Sequence, residues 1–554
     1  MSKMLDSVKE TRSAVKTRRV TNFMGGNSFE LNALDTLKMV TASSIFGEPS
    51  YYRNGEFDEA KITDAVYNVD ACMAALSVLD DSKFKGKKTS EIMEMVIDEA
   101  LSEDFGAVLD WAVTLRKDYL MRLNPQVIMV RAAQHPGRVA FNEANPNKFR
   151  KVESLVMSRA DEPASQLTYY LYKNKNKKNL PNILKRSWAE KLSGLNAYQV
   201  SKYKNAGLGM IDVVRISHAN SPVLNELMKT GTVEVKEEDM TWENLRSAGK
   251  SWKEILGTIK LGHMALLRNL RNIFTETNDR DLAEKVLEDL KAGVKEGKQF
   301  PFRYYSAYRA VENDSKVNFK PLILDALEEC LDISLDNMPK LRGKTITLTD
   351  NSGSAWGTIP TEYGSVTVAE IDNLSAVITA MRSDEGYVGV FGDRLEIVPI
   401  KKRDGVLSQM KNLNRIGRGI GGGTENGIWL FFDKAIKNAE HWDNIFVYSD
   451  MQAGHGGLYG INSYEYRDYS CSGSRGWGGD RYIDVMKLLT KYRSTVNSKV
   501  NMFSVQTAGY TNVVIPEYAY RSNVMYGWTG KEVIFADAMI NFWNQKESAK
   551  LPRQ

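Results

Sequence analysis

The spacing of apolar residues changes once along the chain, close to Pro339, and this change most restricts the folds open to it. Before that point apolar residues recur every three or four positions, as in residues 252–274, which is the spacing of amphipathic helices. After it, short β-branched or aromatic runs such as residues 345–350 alternate with helical segments. The first pattern predicts stacked helix pairs, an α-solenoid. The second predicts a largely parallel sheet covered by helices on both faces.

The length of 554 residues exceeds what one hydrophobic core organises. We therefore predict two domains, a helical-repeat module over residues 20–339 and a Rossmann-like α/β domain over residues 340–554. No apolar stretch reaches the length of a membrane span, and the N-terminus lacks the apolar segment of a signal peptide. The three cysteines, Cys72, Cys330 and Cys471, argue against a disulfide framework. These features predict a cytoplasmic protein that does not associate with membranes.

Positive charge is concentrated in residues 111–220, which hold 19 Lys and Arg against 7 Asp and Glu, while the whole chain has a net charge of +5. Such a segment favours a surface that binds a polyanion, because Lys and Arg dominate contacts to phosphate. The alternative is an ordinary solvated surface whose acidic partners lie elsewhere in the fold. The candidate binding residues are Arg131, Arg138, Lys148, Arg150, Lys202, Lys204, Arg215 and His218.

Oxygen-bearing side chains follow the ends of two predicted strands. Asp350, Ser352 and Ser354 form a D-x-S-x-S turn, Thr424 follows three glycines, and Asp450 ends a later strand. Ligands of parallel sheets bind at the carboxyl ends of the strands. Two carboxylates and three hydroxyls suit a hard divalent cation of the Mg²⁺ type, which retains several waters. A D-x-S-x-S sequence alone is also typical of an ordinary turn.

This set of five residues resembles the metal-ion-dependent adhesion site (MIDAS) of von Willebrand factor A domains. The resemblance implies that the two serines and the threonine contact the cation directly, that the aspartates do so directly or through water, and that an acidic side chain of a partner takes a free position. Such a site binds and does not hydrolyse. Because no nucleophile and base stand beside it in the sequence, we expect that the protein is not an enzyme.

Several helical segments resemble the TROVE module of the Ro autoantigen and its bacterial relatives. They are KYKNAGLGMIDVVRISHA at residues 202–219, WENLRSAGKSWKEILGTIKLGHMALLRNLRNIF at residues 242–274, GEPSYYR and PFRYYSAYRAV. The resemblance implies a ring of HEAT-like repeats closed by the A domain. It assigns RNA contacts to Lys202 and His218. The segment after KYK is one residue shorter than in the family, and Asn205 and Ala206 stand where the family places a basic residue.

The function that the resemblance implies is RNA quality control by binding. The outer basic surface would bind Y-like small non-coding RNA, and the central hole would take the single-stranded 3′ ends of misfolded RNA. We expect a monomeric ring, with an exoribonuclease as a further partner. One alternative is a metal-dependent adhesion or assembly module acting through the A domain. A second is a nuclease or phosphotransfer enzyme, against which stands the lack of a second cluster of carboxylates.

Tyrosines in the segment RYYSAYR, residues 303–309, have the composition of a base-stacking surface. Their helical spacing is more typical of a packed interface. We therefore interpret Tyr304, Tyr305 and Tyr308 as packing residues.

Overall fold

The computed structural model describes most of the helical part and the framework of the sheet. The described residues are 19–21, 27–30, 32–42, 89–117, 121–174, 179–204, 209–235, 240–361, 364–422, 427–449, 451, 470–472, 481–483, 485–507, 512–513, 515, 521–526 and 532–548. The sequence TDAVYNVDACMAALSVLD at residues 63–80, whose apolar spacing also predicts a helix, lies outside them.

Helix follows helix through the first part of the chain, as the apolar spacing predicts. The described helices of this part are α1 (Ala33–Ala42), α2 (Thr89–Glu103), α3 (Phe105–Lys117), α4 (Asn124–Gln134), α5 (Arg138–Ala144), α6 (Lys148–Val156), α7 (Glu162–Asn174), α8 (Asn182–Ser193), α9 (Ala197–Tyr203), α10 (Met210–Ser217), α11 (Pro222–Thr230), α12 (Trp242–Ser247), α13 (Trp252–Thr258), α14 (His263–Glu276), α15 (Arg280–Ala292), α16 (Val294–Gly297), α17 (Pro301–Glu312) and α18 (Lys320–Ser334).

Two long helical patterns in the sequence are each divided in the structure. Asp104 separates α2 from α3, and its carboxylate accepts a hydrogen bond of 2.9 Å from the backbone N–H of Ala107. Residues 259–262 separate α13 from α14, and Ile259 has an extended backbone. Apolar spacing continues through such a break because both helices face the same core.

Six of the thirteen described strands form the large sheet of the second part. The strands are β1 (Arg19–Thr21), β2 (Asn27–Glu30), β3 (Leu341–Asp350), β4 (Thr358–Thr361), β5 (Gly364–Thr367), β6 (Ser383–Phe391), β7 (Leu395–Pro399), β8 (Asn444–Ser449), β9 (Ser470–Ser472), β10 (Arg481–Ile483), β11 (Asn501–Gln506), β12 (Asn512–Val513) and β13 (Ser522–Tyr526). The order in the large sheet is β13-β11-β8-β3-β6-β7. All neighbours in it are parallel except β6 and β7.

Five of the described α-helices belong to the α/β part. They are α19 (Val368–Met381), α20 (Val406–Arg418), α21 (Gly427–Lys437), α22 (Val485–Thr495) and α23 (Glu532–Ser548). The expected combination of a helical-repeat part with a Rossmann-like, mainly parallel sheet is thus confirmed. The sequence patterns missed α20 and β13, and they missed that β2 pairs with both β1 and β12. Residues 27–30 therefore pair with a strand near the C-terminal end of the chain, and the domain boundary at residues 339 and 340 stays a prediction.

The helical part and the sheet part meet through α17, α18, α19 and α20. Tyr304, Tyr305 and Tyr308 of α17 are buried, which agrees with the packing interpretation. Arg309 of α17 contacts Glu370 of α19 at 3.0 Å. Hydrogen bonds and an ion pair therefore connect the two parts, and this junction lies beside the helices that support the end of β3.

Candidate functional sites

Asp350 lies at the carboxyl end of β3. This strand lies between β6 and β8, at the topological switch point of the sheet. This is the position at which ligands of open α/β sheets bind. The carboxylate is buried, and both of its oxygens accept hydrogen bonds. The backbone N–H of Ser352 donates to Oδ1 at 2.9 Å, and the hydroxyl of Ser449 donates to Oδ2 at 2.7 Å. Burial raises the pKa of Asp350, and these hydrogen bonds oppose that rise.

The serines of the turn lie together beside the glycine-rich segment. The hydroxyl oxygens of Ser352 and Ser354 are 3.2 Å apart. The backbone N–H of Gly353 donates to the carbonyl of Gly422 at 2.9 Å, so the segment that leads to Thr424 begins at the turn. Thr424 itself and Asp450 lie outside the described residues. Asp350, Ser352 and Ser354 are thus brought together, as the sequence predicts.

The described donor set fits a hard cation. A carboxylate oxygen that accepts one hydrogen bond can still bind a metal, because each ionised oxygen has further lone-pair sites. One carboxylate and two hydroxyls leave most of the coordination sphere to water and other oxygens, which is how Mg²⁺ is commonly held. Within the described residues, no three His, Cys, Asp or Glu side chains are grouped so as to hold a metal.

A pair of buried amides holds the turn in place. Asn351 donates to Oδ1 of Asn373 at 3.0 Å, and Asn373 donates back to Oδ1 of Asn351 at 2.9 Å. Asn373 also donates to Asn414 of α20 at 2.7 Å. A Cβ at Gly417 would overlap the Asn351 side chain, so this position on α20 accepts only glycine without a shift of the turn. The turn is therefore connected to both α19 and α20, which fixes the position of Asp350.

Four of the predicted binding residues lie on α4, α5 and α6, and three of these four are engaged with carboxylates. Arg131 is partly buried and pairs with Asp98 of α2, with 3.0 Å between Nε and Oδ1. The pKa of Arg131 is raised, because this hydrogen bond and nearby acidic groups outweigh the opposing effect of burial. Arg138 is half-buried. The more exposed pairs are Lys148 with Asp110 at 3.1 Å and Arg150 with Glu190 at 3.1 Å.

These pairs separate the four residues into two kinds. An exposed ion pair contributes little to stability, so Lys148 and Arg150 can exchange their carboxylates for phosphates at small cost. Breaking a partly buried, hydrogen-bonded pair costs more. The arrangement therefore indicates a structural role for Arg131.

The other four predicted residues lie on α9 and α10 or directly after them. Lys202 contacts the hydroxyl of Tyr198 at 3.3 Å and lies 5.5 Å from the centre of that ring. Arg215 and His218 are exposed, and His218 ends α10 in the left-handed conformation. The carbonyl of Lys204 accepts a hydrogen bond of 2.9 Å from the backbone N–H of Met210, which links the end of α9 to the start of α10. Within the described part of the chain, neither His218 nor any of the other three residues, which are cations, forms an ion pair with a carboxylate.

Sequence reasoning missed several residues that shape these sites. Ser449 contacts Asp350, and its position before Asp450 in the sequence could have indicated it. Tyr198 stands four residues before Lys202, the spacing at which side chains on a helix meet. Asn373 gives no such signal, because only the packing of α19 against β3 brings it to the turn. Among the described helices, none combines the length and hydrophobicity required to cross a membrane.

Comparisons with known proteins agree with this architecture. Residues 217–322 match the family model of the TROVE domain. The fold is similar to that in the "Crystal structure of Deinococcus radiodurans RO (RSR) protein", with a TM-score of 0.56 and 14% sequence identity, over 92% of this chain and 100% of that chain. No curated protein matches the sequence significantly. Together, the match over residues 217–322 and the shared fold confirm the resemblance of this chain to the TROVE-domain proteins of the bacterial Ro type.

Proposed function

We propose that this protein is an RNA-binding scaffold that acts in RNA quality control and cleaves no bond. Its helical repeats form a ring. The outer basic surface binds small structured RNA of the Y type, and the interior takes the single-stranded 3′ ends of misfolded RNA. The segment matched by the TROVE family model and the fold shared with the Deinococcus protein support this proposal.

The observation that carries the proposal is the group formed by Lys202, Lys204, Arg215 and His218. Lys202, Arg215 and His218 are surface residues, and none of the four forms an ion pair with a described carboxylate. Tyrosine rings lie beside Lys202, which lies 5.7 Å from the ring centre of Tyr203. Cations without acidic partners beside aromatic rings are suited to phosphates and bases.

In this proposal the scaffold also holds a Mg²⁺ ion, which serves for binding and not for catalysis. Asp350, Ser352 and Ser354, together with Thr424 and Asp450, would hold the cation at the carboxyl edge of the sheet. The alternative that follows from this site is a protein-adhesion module, in which an acidic side chain of a partner completes the coordination. A chelator separates the two functions, because it removes a partner held by the cation and leaves RNA on the basic surface.

The proposal is tested by the binding of a labelled, structured small RNA at increasing salt. Affinity should fall steeply with salt, because phosphate contacts release counterions. The double variant Lys202→Ala/His218→Ala should bind at least about tenfold more weakly, since two contacts to RNA are lost. Lys285→Ala is the control, because it removes an exposed cation on α15. Equal affinity of the double variant and the unmodified protein would contradict the proposal, as would cleavage of the RNA during long incubation with Mg²⁺.

A further inference from the structure

A groove of about 800 Å³ lies between α12, α13, α14 and the loop after α17. All its lining residues fall within residues 217–322, the segment that matches the TROVE family model. None of them is among the binding residues predicted from the sequence. Those that matter for its chemistry are Trp242, Arg246, Trp252, Arg268, Arg271 and Lys316.

Two tryptophans form an aromatic platform in the groove. The rings of Trp242 and Trp252 have centres 5.5 Å apart and planes inclined by 30°. Trp252 is buried, and the guanidinium of Arg246 covers it at 5.2 Å from the ring centre. Trp242 is only half-buried, so it retains ring surface in the groove. Trp252 and Arg246 thus pack together beside Trp242, which lines the groove and is not fully buried.

The groove is lined by four cationic side chains and two carboxylates. Arg246 pairs with Glu276 at 3.0 Å, and Arg271 pairs with Asp314 at 3.7 Å. The remaining two cations, Arg268 and Lys316, are exposed and have no carboxylate partner in the part of the chain that the structure describes. Two cations that lack acidic partners therefore flank an aromatic platform.

We propose that this groove binds single-stranded RNA, with a base stacked on Trp242 and phosphates of the backbone on Arg268 and Lys316. Stacking on aromatic side chains beside Lys and Arg is the general mode of single-strand binding. A duplex cannot use the platform, because its bases are already stacked on each other. An acidic peptide would engage the cations and leave the tryptophan without a role. The inference rests on the proposed function for the class of ligand, and it adds a location and a mode of binding.

The groove also lies close to Lys202 of α9. Glu243, the residue after Trp242, is near enough to Lys202 to interact with it electrostatically. One RNA could therefore place a structured part on the Lys202 surface and a single-stranded tail in the groove. This neighbourhood predicts that an RNA carrying both parts binds more tightly than either part alone.

The test measures the fluorescence anisotropy of a short labelled oligoadenylate with the full-length protein. We expect Trp242→Ala to weaken binding about tenfold, the scale of one lost stacking contact, and Trp242→Phe to restore most of it. The double variant Arg268→Ala/Lys316→Ala should lower the slope of log affinity against log salt by about 1.4, which corresponds to two phosphates of a single strand. Lys285→Ala, the same control as above, should change neither quantity.

An abasic strand with the same phosphates separates the two contacts. Trp242→Ala should leave its affinity unchanged, whereas the double variant should weaken it. Should the variants bind oligoadenylate as the unmodified protein does while structured RNA still binds, the groove is not the site and the proposed function stands. Failure of the unmodified protein to bind any RNA overturns both. Displacement of oligoadenylate by oligoglutamate at equal concentration would show an acidic-peptide site and overturn the inference alone.

Discussion

Glu370 forms an ion pair with Arg309 at 3.0 Å, and the same residue caps the first turn of α19. Its backbone N–H donates a hydrogen bond to the hydroxyl oxygen of Thr367, and its carboxylate accepts one from the backbone N–H of Thr367, so the two residues form a capping box. The same carboxylate therefore starts the helix that carries Asn373 and attaches the helical part to the sheet part. Helix initiation and contact between the two parts are coupled at one residue.

We predict that Arg309→Ala and Glu370→Ala are coupled in a double-mutant cycle. The Glu370 side chain is 14% exposed, and partly buried ion pairs in a network show coupling of about 1–2 kcal/mol. Urea unfolding of the four proteins measures this. The exposed pair Arg280 and Glu284, whose side chains are 74% and 49% exposed, is the control and should show a smaller coupling. Additive effects at Arg309 and Glu370 would contradict the role of the pair.

Gly417→Ala should destabilise the protein, because its Cβ would overlap Asn351 and disturb the Asn351–Asn373 pair. Overpacking of this kind costs about 1–3 kcal/mol. Gly257→Ala is the matched control, since nothing lies within 4 Å of a Cβ there. It should stabilise the protein by about 0.5–1 kcal/mol as a helical Gly→Ala change. Similar denaturation midpoints for the two variants would show that the turn does not depend on this contact.

Mg²⁺ should raise the melting temperature, because an ion that binds only the folded state stabilises it. At a concentration one hundred times its dissociation constant the gain is about 2.7 kcal/mol. Asp350→Asn should abolish this rise, whereas Asp325→Asn on the surface of α18 should preserve it. An equal rise in Asp350→Asn, measured by thermal unfolding with and without Mg²⁺, would place the cation elsewhere.

Glu153 should make stability depend on pH. Burial raises its pKa from 4.5 to about 7, and nearby Glu162 adds to the rise. The folded protein therefore holds this proton to a higher pH than the unfolded chain. The contribution of Glu153 to the free energy of unfolding is greatest below pH 4.5 and falls as the pH rises from 4.5 to about 7. The loss approaches about 3 kcal/mol above that range. Glu153→Gln should flatten this part of the pH profile in urea unfolding, and Glu143→Gln, at an exposed position of α5, should not.

Arg131→Ala and Lys202→Ala should have opposite consequences. Arg131 is held by Asp98, so its loss should lower the free energy of unfolding by about 1–3 kcal/mol and leave RNA affinity nearly unchanged. Lys202 has no described carboxylate partner, so its loss should weaken RNA binding and leave stability nearly unchanged. Urea unfolding and RNA anisotropy on both variants decide this. A large loss of RNA affinity in a well-folded Arg131→Ala variant would show that Arg131 belongs to the RNA-binding surface.

Local patterns in the sequence were sufficient for the two kinds of architecture. The regular spacing of apolar residues before Pro339 and the strand runs after it follow from short-range geometry, because a helix or strand displays its buried face within a few residues. The D-x-S-x-S turn was equally readable, since the residues that meet there are close in sequence. Basic composition indicated a polyanion surface but could not separate Arg131 from Lys202, because only the fold pairs Arg131 with Asp98 and leaves Lys202 without an ion pair among the described residues.

Contacts between distant residues were decided by tertiary structure alone. The pairing of β2 with β12, the Asn351–Asn373 amides, and the Trp242 groove with Arg268 and Lys316 each join segments whose local sequence gives no sign of the other. The physical reason is that burial and charge neutralisation depend on which side chains packing brings within a few ångströms. The sequence by itself thus determined the elements and the chemical types of the candidate sites. The tertiary structure decided which cations are already neutralised and which are still available to a phosphate.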